Sequence, residues 1–600
     1  MNVLVVMNDT LRRDHVGAYG LPPPWSRPGR PPGGPDGAPS GEPFIQTPSL
    51  DRLAREAALF ERFYVSSYPT IPCRTDLFTG RYSFPHRPWQ PLEPGDVVLS
   101  ELARRAGYLP VLFFDTPPLG NDDGNFTRGF AGWQWVRGQH ADRWNVDPFD
   151  PPLPAAPYKL KGTPQTRLYL RNTHDRVYER DWMCARTLSA AMDWLERNHT
   201  RGRPGGPPGF VMYVDMWDPH EPFDAPPFDV ARYADPRYTG ERVIYPQYGR
   251  PDYLSPEEHD HVRALYAALV TLADRWLGHL LDKLAVTGLD RHTLVLHLTD
   301  HGHLFGDHQL QGKPGGPLGR LYEPTVHIPL LVRHPQGVGA GTRVPGLAQH
   351  VDILPTVLDF LGAPIPEGVE GHSLWPLIRG EQARVRDTAY SGRFPNELAA
   401  ALGLSRNRAQ QAAAFDGAAG IATPPGTSGA PSPSGSAPNT SRLVEPLTVT
   451  TEEWALVSAP RGRPSELYHL GDDPQQTRNV LPEHPDVARE LHGRLLRFLE
   501  TAGGSGATAA RIAPFQGDVT RSGAEPEPPA LEEDTILFCA EDARGVTLCF
   551  DSEAQARSLF RAADGSVPEF RQERAGDLRQ RRPQALVYSP TQYAWLSDLL

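Results

Sequence analysis

The side chains most able to do chemistry in this chain follow short apolar runs. Asp9 comes directly after the run at residues 3–6, and Asp300 and His301 follow the run at 294–298. Carboxylate and imidazole groups that converge from the ends of two strands are ligands that a divalent cation binds well. An isolated Asp-His pair more often caps a helix or binds backbone. Together with the segment around Thr70, these residues predict a metal site.

The segment at residues 69–81 reads P-T-I-P-C-R-T-D-L-F-T-G-R. Arg74 stands four positions after Thr70, so we expect it on the first turn of a helix that Thr70 begins. A helix N-terminus and a guanidinium group together favour an anion and an ionised hydroxyl. The segment therefore predicts an anion site beside a nucleophilic hydroxyl.

A sheet must position these side chains. Apolar runs typical of strands alternate with patterns typical of helices, and they occupy residues 3–6, 50–59, 111–114, 185–195, 210–214, 262–284 and 294–298. This alternation predicts an α/β fold with a mixed, mainly parallel central sheet between helices. Ligands of such sheets bind at the carboxyl ends of strands. Asp9, Asp215 and Asp300 each follow an apolar run, so we expect them to converge at one edge.

Six segments of the chain occur in the order found in one known family. They are residues 2–15, 47–54, 69–81, 215–223, 299–308 and 350–356. On these motifs, residues 1 to about 500 resemble the sulfatase branch of the alkaline phosphatase superfamily. The resemblance implies an alkaline-phosphatase-like α/β/α sandwich with a small C-terminal antiparallel sheet.

Residue 70 departs from the sulfatase pattern. In sulfatases this position is a cysteine that is oxidised to formylglycine, whereas here it is Thr70, with Pro72 and Arg74 in register. Threonine cannot become formylglycine, so the resemblance implies no formylglycine and a threonine hydroxyl as nucleophile. Cys73 is out of register and is expected to be a small packed side chain.

The resemblance implies a ligand set for one divalent cation. Asp9, Asp300 and His301 would bind it, and Thr70 would reach it through its hydroxyl oxygen. Asn8 stands where many sulfatases carry an aspartate, and His301 replaces a common asparagine. This set is similar to that of phosphonate monoester hydrolases, and its imidazole favours Mn²⁺ or Zn²⁺ over Ca²⁺.

The resemblance also implies catalytic roles for Arg74, Lys313 and His220. Arg74 and Lys313 would hold the developing charge, and His220 would face the leaving oxygen as general acid or hydrogen-bond donor. Without the resemblance, Lys313 would be expected in solvent and His220 packed under a proline-rich turn. Further candidates for lining the substrate site are Asn8, Thr10, Asp115, Thr116, Asp215, Asp218 and His308. A polar and aromatic cluster at residues 137–144 either lines the pocket or packs at the surface.

Composition divides the 600 residues into five parts. They are a catalytic α/β domain (1–395), a low-complexity insertion expected to be disordered (404–442), a C-terminal subdomain (443–502), a linker (503–533) and a small α+β tail of unknown role (534–600).

Net charge and cysteine content limit the functions and the compartment that the chain is expected to have. The net charge of −12 argues against a general nucleic-acid binder. No run approaches the roughly 20 apolar residues of a membrane helix. Four cysteines without disulfide or zinc spacing, and an N-terminus without a basic leader, favour the cytoplasm.

The function expected from the sequence is metal-dependent hydrolysis of phosphate mono- or diesters or of phosphonate esters, with Thr70 as nucleophile. The partner would be a small anionic ester, without nucleic acid or membrane, and the chain is compatible with a homo-oligomer. Three alternatives remain: a sulfate-ester hydrolase that uses Thr70 directly, a transferase, and a catalytically inactive binding protein. The altered residue 70 and the tail favour the last alternative, and the retained charged positions oppose it.

Overall fold

The computed structural model describes residues 1–21, 44–120, 124–199, 209–313, 319–394, 446–458 and 465–503, and parts of the segment 536–595. The predicted insertion at 404–442 lies outside the described residues, as does the predicted linker beyond residue 503. Much of the predicted α+β tail at 534–600, including residues 551–569, also lies outside them.

A mixed sheet forms the centre of the described chain. Its strands are β1 (Asn2–Asn8), β2 (Ala58–Tyr64), β3 (Leu109–Phe114), β4 (Gly132–Trp135), β5 (Phe210–Met216), β6 (Thr293–Thr299), β9 (His327–Ile328), β10 (Leu330–Arg333) and β11 (Arg343–Gln349); a separate ribbon pairs β7 (Leu304–Phe305) with β8 (Gln311–Gly312). The order is β11-β2-β10-β6-β1-β5-β3-β4, with β9 beside β2. Within the central sheet, as far as the structure describes it, β9 and β10 run antiparallel to the strands beside them and the remaining pairs are parallel. The predicted mixed, mainly parallel sheet is confirmed.

Helices cover both faces of this sheet. They are α1 (Pro48–Glu56), α2 (Thr70–Thr79), α3 (Leu99–Arg105), α4 (Pro117–Gly120), α5 (Thr163–Thr173), α6 (Met183–Asn198), α7 (Pro227–Tyr233), α8 (Pro256–Val286), α9 (Glu323–Val326), α10 (Ile353–Leu361), α11 (Trp375–Ile378) and α12 (Pro485–Gly503). Leu4 and Val6 pack with α1, α6 and α8, whereas Val3, Val5 and Met7 pack with α2, α3 and α10. Because successive side chains of a strand point to opposite faces, a strand buried on both faces is apolar throughout.

Two further sheets lie towards the C-terminus. The first contains β12 (Ala389–Gly392), β13 (Leu447–Thr450), β14 (Trp454–Ser458) and β15 (Glu466–His469), all antiparallel, and it packs against α12. The second contains β16 (Ile536–Glu541), β17 (Thr547–Phe550), β18 (Arg571–Arg574), β19 (Leu586–Ser589) and β20 (Gln592–Trp595). Phe538 and Phe570 of this tail pack against the core cluster that contains α6 and α8.

None of the helices in the described ranges combines the length and the apolar character that crossing a membrane requires.

Candidate active site

A cluster of buried ligand groups lies at the carboxyl ends of the two central strands. Residues 8 and 299 are paired across the parallel neighbours β1 and β6, so the following residues, Asp9 and Asp300, lie side by side. His301 completes the cluster: its Nε2 lies 3.4 Å from Asp300 Oδ2 and 3.9 Å from Asp9 Oδ1. One ligand atom from each of the three residues lies within 4.8 Å of the others, and all three side chains are buried. The predicted convergence is confirmed.

His301 is oriented as a metal ligand. Its Nδ1 lies 2.9 Å from the carbonyl oxygen of Gly302, to which it donates. The other nitrogen, Nε2, therefore carries no proton when the ring is neutral, and it faces the carboxylates. Burial lowers the pKa of His301 to about 4, so the ring is neutral near pH 7. A backbone acceptor on one ring nitrogen is the usual way to fix the other one as a ligand.

Arg74 is surrounded by carboxylates. Its guanidinium binds both oxygens of Asp215 at 2.8 Å, and its Nη1 lies 2.7 Å from Asp300 Oδ2 and 3.2 Å from Asp9 Oδ2. A further bond reaches the Thr70 carbonyl oxygen at 3.1 Å. The side chain is fully buried. In this arrangement Arg74 orders the cluster through its carboxylates, and its first-turn position on α2 is as predicted.

The cluster has the negative charge and the buried carboxylate oxygen that a divalent cation needs. Three carboxylates, Asp9, Asp215 and Asp300, surround one guanidinium, so the buried group is negative when all are ionised. Asp9 Oδ2 is buried and accepts no hydrogen bond within the described residues. Burial, and then the charge of Asp300, raise the pKa of Asp9 well above its usual value. A cation bound by Asp9, Asp300 and His301 would offset the cost of ionising the buried Asp9 beside Asp300. These residues therefore fit the divalent cation that the sequence predicts.

Thr70 begins α2 beside this cluster. Its Oγ1 lies 3.4 Å from His301 Nε2, and the side chain is 3% exposed. Cys73 is buried, and burial raises the pKa of its thiol well above the usual value. The hydroxyl of Thr70 therefore faces the metal ligands, whereas the neighbouring thiol is a packed, protonated side chain as predicted.

Thr10 is held in a strained conformation next to the ligands. Its φ is 66°, in the left-handed region that β-branched residues rarely adopt. Its N–H donates to Asp300 Oδ1 at 2.9 Å and its Oγ1 donates to Asp9 Oδ1 at 2.7 Å. The carbonyl accepts from Tyr266 at 2.7 Å. These three bonds compensate the strain and orient both carboxylates.

Lys313 and His220 form a second polar group near Thr10. Lys313 Nζ lies 2.7 Å from His220 Nε2 and 3.4 Å from Thr10 Oγ1. His220 Nδ1 lies 2.7 Å from the carbonyl oxygen of Glu221. Gly312, immediately before Lys313, has a φ of 83°, and a Cβ there would lie 2.1 Å from the Tyr248 ring. A glycine is therefore needed to bring Lys313 to this position.

The other predicted site residues lie around these two groups. Asn8 donates to the Asp218 carbonyl at 2.8 Å and accepts from His297 at 2.9 Å, two bonds that suit a neutral amide. Asp215 pairs with Arg74 and accepts from Thr116 at 2.5 Å.

Asp115 accepts from Trp217 N and from Thr187. Asp218 accepts from Gln139 and from Cys184 N. His308 stacks on Tyr322 with ring centroids 3.5 Å apart, next to Tyr468 of β15. Asp115 and Asp218 thus bind neighbouring backbone and side chains, and His308 packs against the small C-terminal sheet.

Sequence reasoning missed three residues of the site. Glu221 is fully buried and contacts Lys313, His220 and the Tyr248 hydroxyl. Tyr68 packs its ring 5.2 Å from that of His301. Glu221 lies inside the motif W-D-P-H-E-P-F. The sequence feature that could have identified it is a carboxylate beside the key histidine, with a proline on either side of the pair. Tyr68 and Tyr248 carry no such signal, because single tyrosines in loops are common.

Comparison with known proteins places this site in a family. A model of the sulfatase family matches residues 1–363. Arylsulfatase K of Homo sapiens is 24% identical over 364 residues, covering 56% of this chain and 62% of that protein. A multifunctional alkaline phosphatase superfamily protein, PehA of Trinickia caryophylli, is 26% identical over 393 residues, covering 56% of this chain and 72% of that protein. The chain thus spans about three-fifths of the length of arylsulfatase K.

A solved structure extends the likeness at the level of the fold. The phosphonate monoester hydrolase of Agrobacterium radiobacter superposes with a TM-score of 0.59 at 21% identity, covering 84% of this chain and 96% of that one. The predicted alkaline-phosphatase-like fold and the predicted family are both confirmed. Since the family model covers more than half of the 600 residues, the chain belongs to the sulfatase family of hydrolases.

Proposed function

We propose that this chain hydrolyses a phosphoric or phosphonic ester with Thr70 as the nucleophile. The observation that carries the proposal is the position of the Thr70 hydroxyl: it stands at the N-terminus of α2, 3.4 Å from His301 Nε2 of the ligand cluster. A formylglycine cannot form from threonine, so hydrolysis must use the hydroxyl itself. A helix N-terminus favours both the ionised hydroxyl and the anionic ester.

Two steps account for the reaction. Thr70 Oγ forms a bond to phosphorus while the bond to the leaving oxygen breaks, and that oxygen takes a proton from the Lys313–His220 pair. The hydroxyl proton of Thr70 passes to solvent. Water then attacks the phosphothreonine and frees Thr70. A divalent cation held by Asp9, Asp300 and His301 would supply positive charge that favours the ionised hydroxyl and neutralises the ester oxygens.

Phosphorus suits threonine better than sulfur in the second step. A formylglycine sulfatase expels sulfate through its hemiacetal, a route that a sulfothreonine lacks. Phosphothreonine is open to direct attack by water at phosphorus. The relatives named arylsulfatase K favour a sulfate ester as the second candidate, and the phosphonate monoester hydrolase fold favours the first.

A substrate screen tests the proposal. Aryl phosphates, phosphodiesters, phosphonate monoesters and sulfate esters should be offered to the protein with added Mn²⁺, Zn²⁺ or Ca²⁺. We expect turnover of phosphorus esters, and we expect rapid acid quenching to trap phosphate on the peptide that contains Thr70, detected by mass spectrometry. Turnover of sulfate esters alone would replace the proposal with the second candidate.

A further inference from the structure

Glu221 occupies the centre of the second polar group. Its Oε2 lies 3.1 Å from His220 Nδ1, 3.4 Å from Lys313 Nζ and 3.8 Å from His303 Nδ1. Its Oε1 accepts a hydrogen bond from the Tyr248 hydroxyl. The carboxylate is fully buried, and the Lys313 side chain is 7% exposed. A buried ammonium of this kind needs a nearby negative charge, and Glu221 supplies it.

The geometry also fixes the protonation of His220. A carbonyl oxygen can only accept, so the Nδ1 that lies 2.7 Å from the Glu221 carbonyl must carry a proton. The Nε2, 2.7 Å from Lys313 Nζ, then accepts a hydrogen bond from the ammonium group. A cationic His220 would place two positive charges at this distance. Burial lowers the pKa of His220 well below its usual value; the charge of Glu221 opposes this effect, and Lys313 and His140 add to it.

We propose that Glu221 is a positioning residue that keeps Lys313 charged and holds the proton of the neutral His220 ring on Nδ1, so that the pair holds one transferable proton. The proposal rests on the proposed function for the use of that proton. In that step a proton leaves the Lys313–His220 pair, an O–H bond forms on the leaving oxygen, and solvent returns a proton to the pair. Glu221 itself exchanges no proton.

Several other groups face this pair. Thr10 approaches Lys313 from the end of β1, and the Tyr248 ring lies 5.6 Å from Lys313 Nζ. Lys161 Nζ lies 4.0 Å from the same ring. The His140 ring lies 6.0 Å from that of His220. Lys161 adds positive charge, whereas His303 is neutral near pH 7 because burial lowers its pKa to about 3. Among the described residues, Glu221 is the carboxylate in contact with the pair.

The composition of the chain makes a direct test practical. It contains only four lysines, Lys159, Lys161, Lys283 and Lys313, because 56 of its 60 basic residues are arginine. Protein grown with lysine carrying ¹³C at Cε therefore gives four signals, and Lys313 is assigned by its absence from Lys313→Arg. We expect a larger amine fraction of Lys313 in Glu221→Gln than in wild type at the same alkaline pH, because an adjacent opposite charge is removed.

A matched control comes from another buried pair. Lys159 contacts Glu258 and Glu241 in the interior, and Glu258→Gln should move the Lys159 signal and leave that of Lys313 in place. An unchanged Lys313 titration in Glu221→Gln would overturn the proposal. The NMR measurement on Lys313 needs no turnover, so it is independent of the substrate screen. Its result can be interpreted even if the proposed function is wrong.

A measurement on the wild type covers the case in which Glu221→Gln does not fold. The ¹⁵N signals of His220, assigned by their loss in His220→Gln, should show a neutral ring with the proton on Nδ1 at pH 7. A cationic ring or a proton on Nε2 would overturn the proposal. In the active enzyme, the basic limb of the pH–rate profile should shift to lower pH in Glu221→Gln. A uniform loss at all pH values would indicate a merely structural role.

Discussion

The ligand cluster and the Lys313–His220–Glu221 group are two buried polar regions with opposite charge balance. In the cluster, three carboxylates share one guanidinium, and Asp9 Oδ2 accepts no hydrogen bond within the described chain. In the second group, one carboxylate matches one ammonium, and both His220 nitrogens are engaged. The first region therefore needs a cation to balance its charge, whereas the charges of the second region are balanced without one.

Replacing the nucleophile should give the largest effect. Thr70→Ala should lower kcat by about 10³-fold or more, because the first bond to phosphorus can no longer form. The metal content, measured by elemental analysis, should stay close to that of wild type, since Asp9, Asp300 and His301 remain. Thr70→Ser, which retains a hydroxyl, should keep part of the activity. Unchanged kcat in Thr70→Ala would remove Thr70 from the mechanism.

The second region should respond according to the leaving group. His220→Ala should lower the rate about 10²-fold or more for esters with basic leaving oxygens and far less for activated aryl esters. If Lys313 mainly stabilises a non-bridging oxygen, Lys313→Ala should lower the rates for both classes of ester alike. If the 2.7 Å bond to His220 makes Lys313 a proton source, Lys313→Ala should show the same dependence on the leaving group as His220→Ala. The slope of log rate against leaving-group pKa separates these outcomes. A double variant that loses no more than the worse single one would show that the pair acts as a unit.

Metal removal should affect stability through the first region alone. Binding at 100 times Kd stabilises the folded state by about 2.7 kcal/mol, so chelation should lower the unfolding temperature. Asp300→Ala should bind less than one ion per chain and lose this response. Glu221→Gln is the control, because it alters the second region and should still respond to chelator. A full response in Asp300→Ala would mean that the site is elsewhere.

The last prediction concerns the free energy of unfolding at acid pH. His140 is buried, and burial lowers its pKa to about 3, so the unfolded chain binds a proton that the folded one does not. Stability should therefore fall as pH decreases from about 6.5 towards 3, with a slope of up to about 1.4 kcal/mol per unit for this residue. His140→Asn should reduce that slope in urea unfolding, and chelator should leave the reduction unchanged. Equal slopes in both proteins would contradict the assignment.

The sequence was sufficient for the parts of the fold that periodicity controls. Apolar runs placed β1, β3, β5 and β6, and the carboxyl ends of β1 and β6 brought Asp9 to Asp300 as expected. The arrangement of side chains within the site was less accessible. Asp215 was a candidate for binding substrate, yet it pairs with Arg74, 141 positions away. Nothing local in a sequence says which of several carboxylates a buried arginine binds.

The role of Glu221 depends equally on distant partners. Its contacts with Tyr248 and Lys313 come from loops without periodic patterns. The tail was predicted only as a small α+β segment, and no motif in the sequence indicates its packing through Phe538 and Phe570.

The left-handed conformation of Thr10 has a consequence for the evolution and engineering of this enzyme. A glycine there would adopt the same φ without the penalty, which is of order 1–3 kcal/mol for such residues. It would also remove the hydroxyl that Asp9 and Lys313 contact. Thr10→Gly would therefore relieve the backbone strain and at the same time lose the bond that orients Asp9.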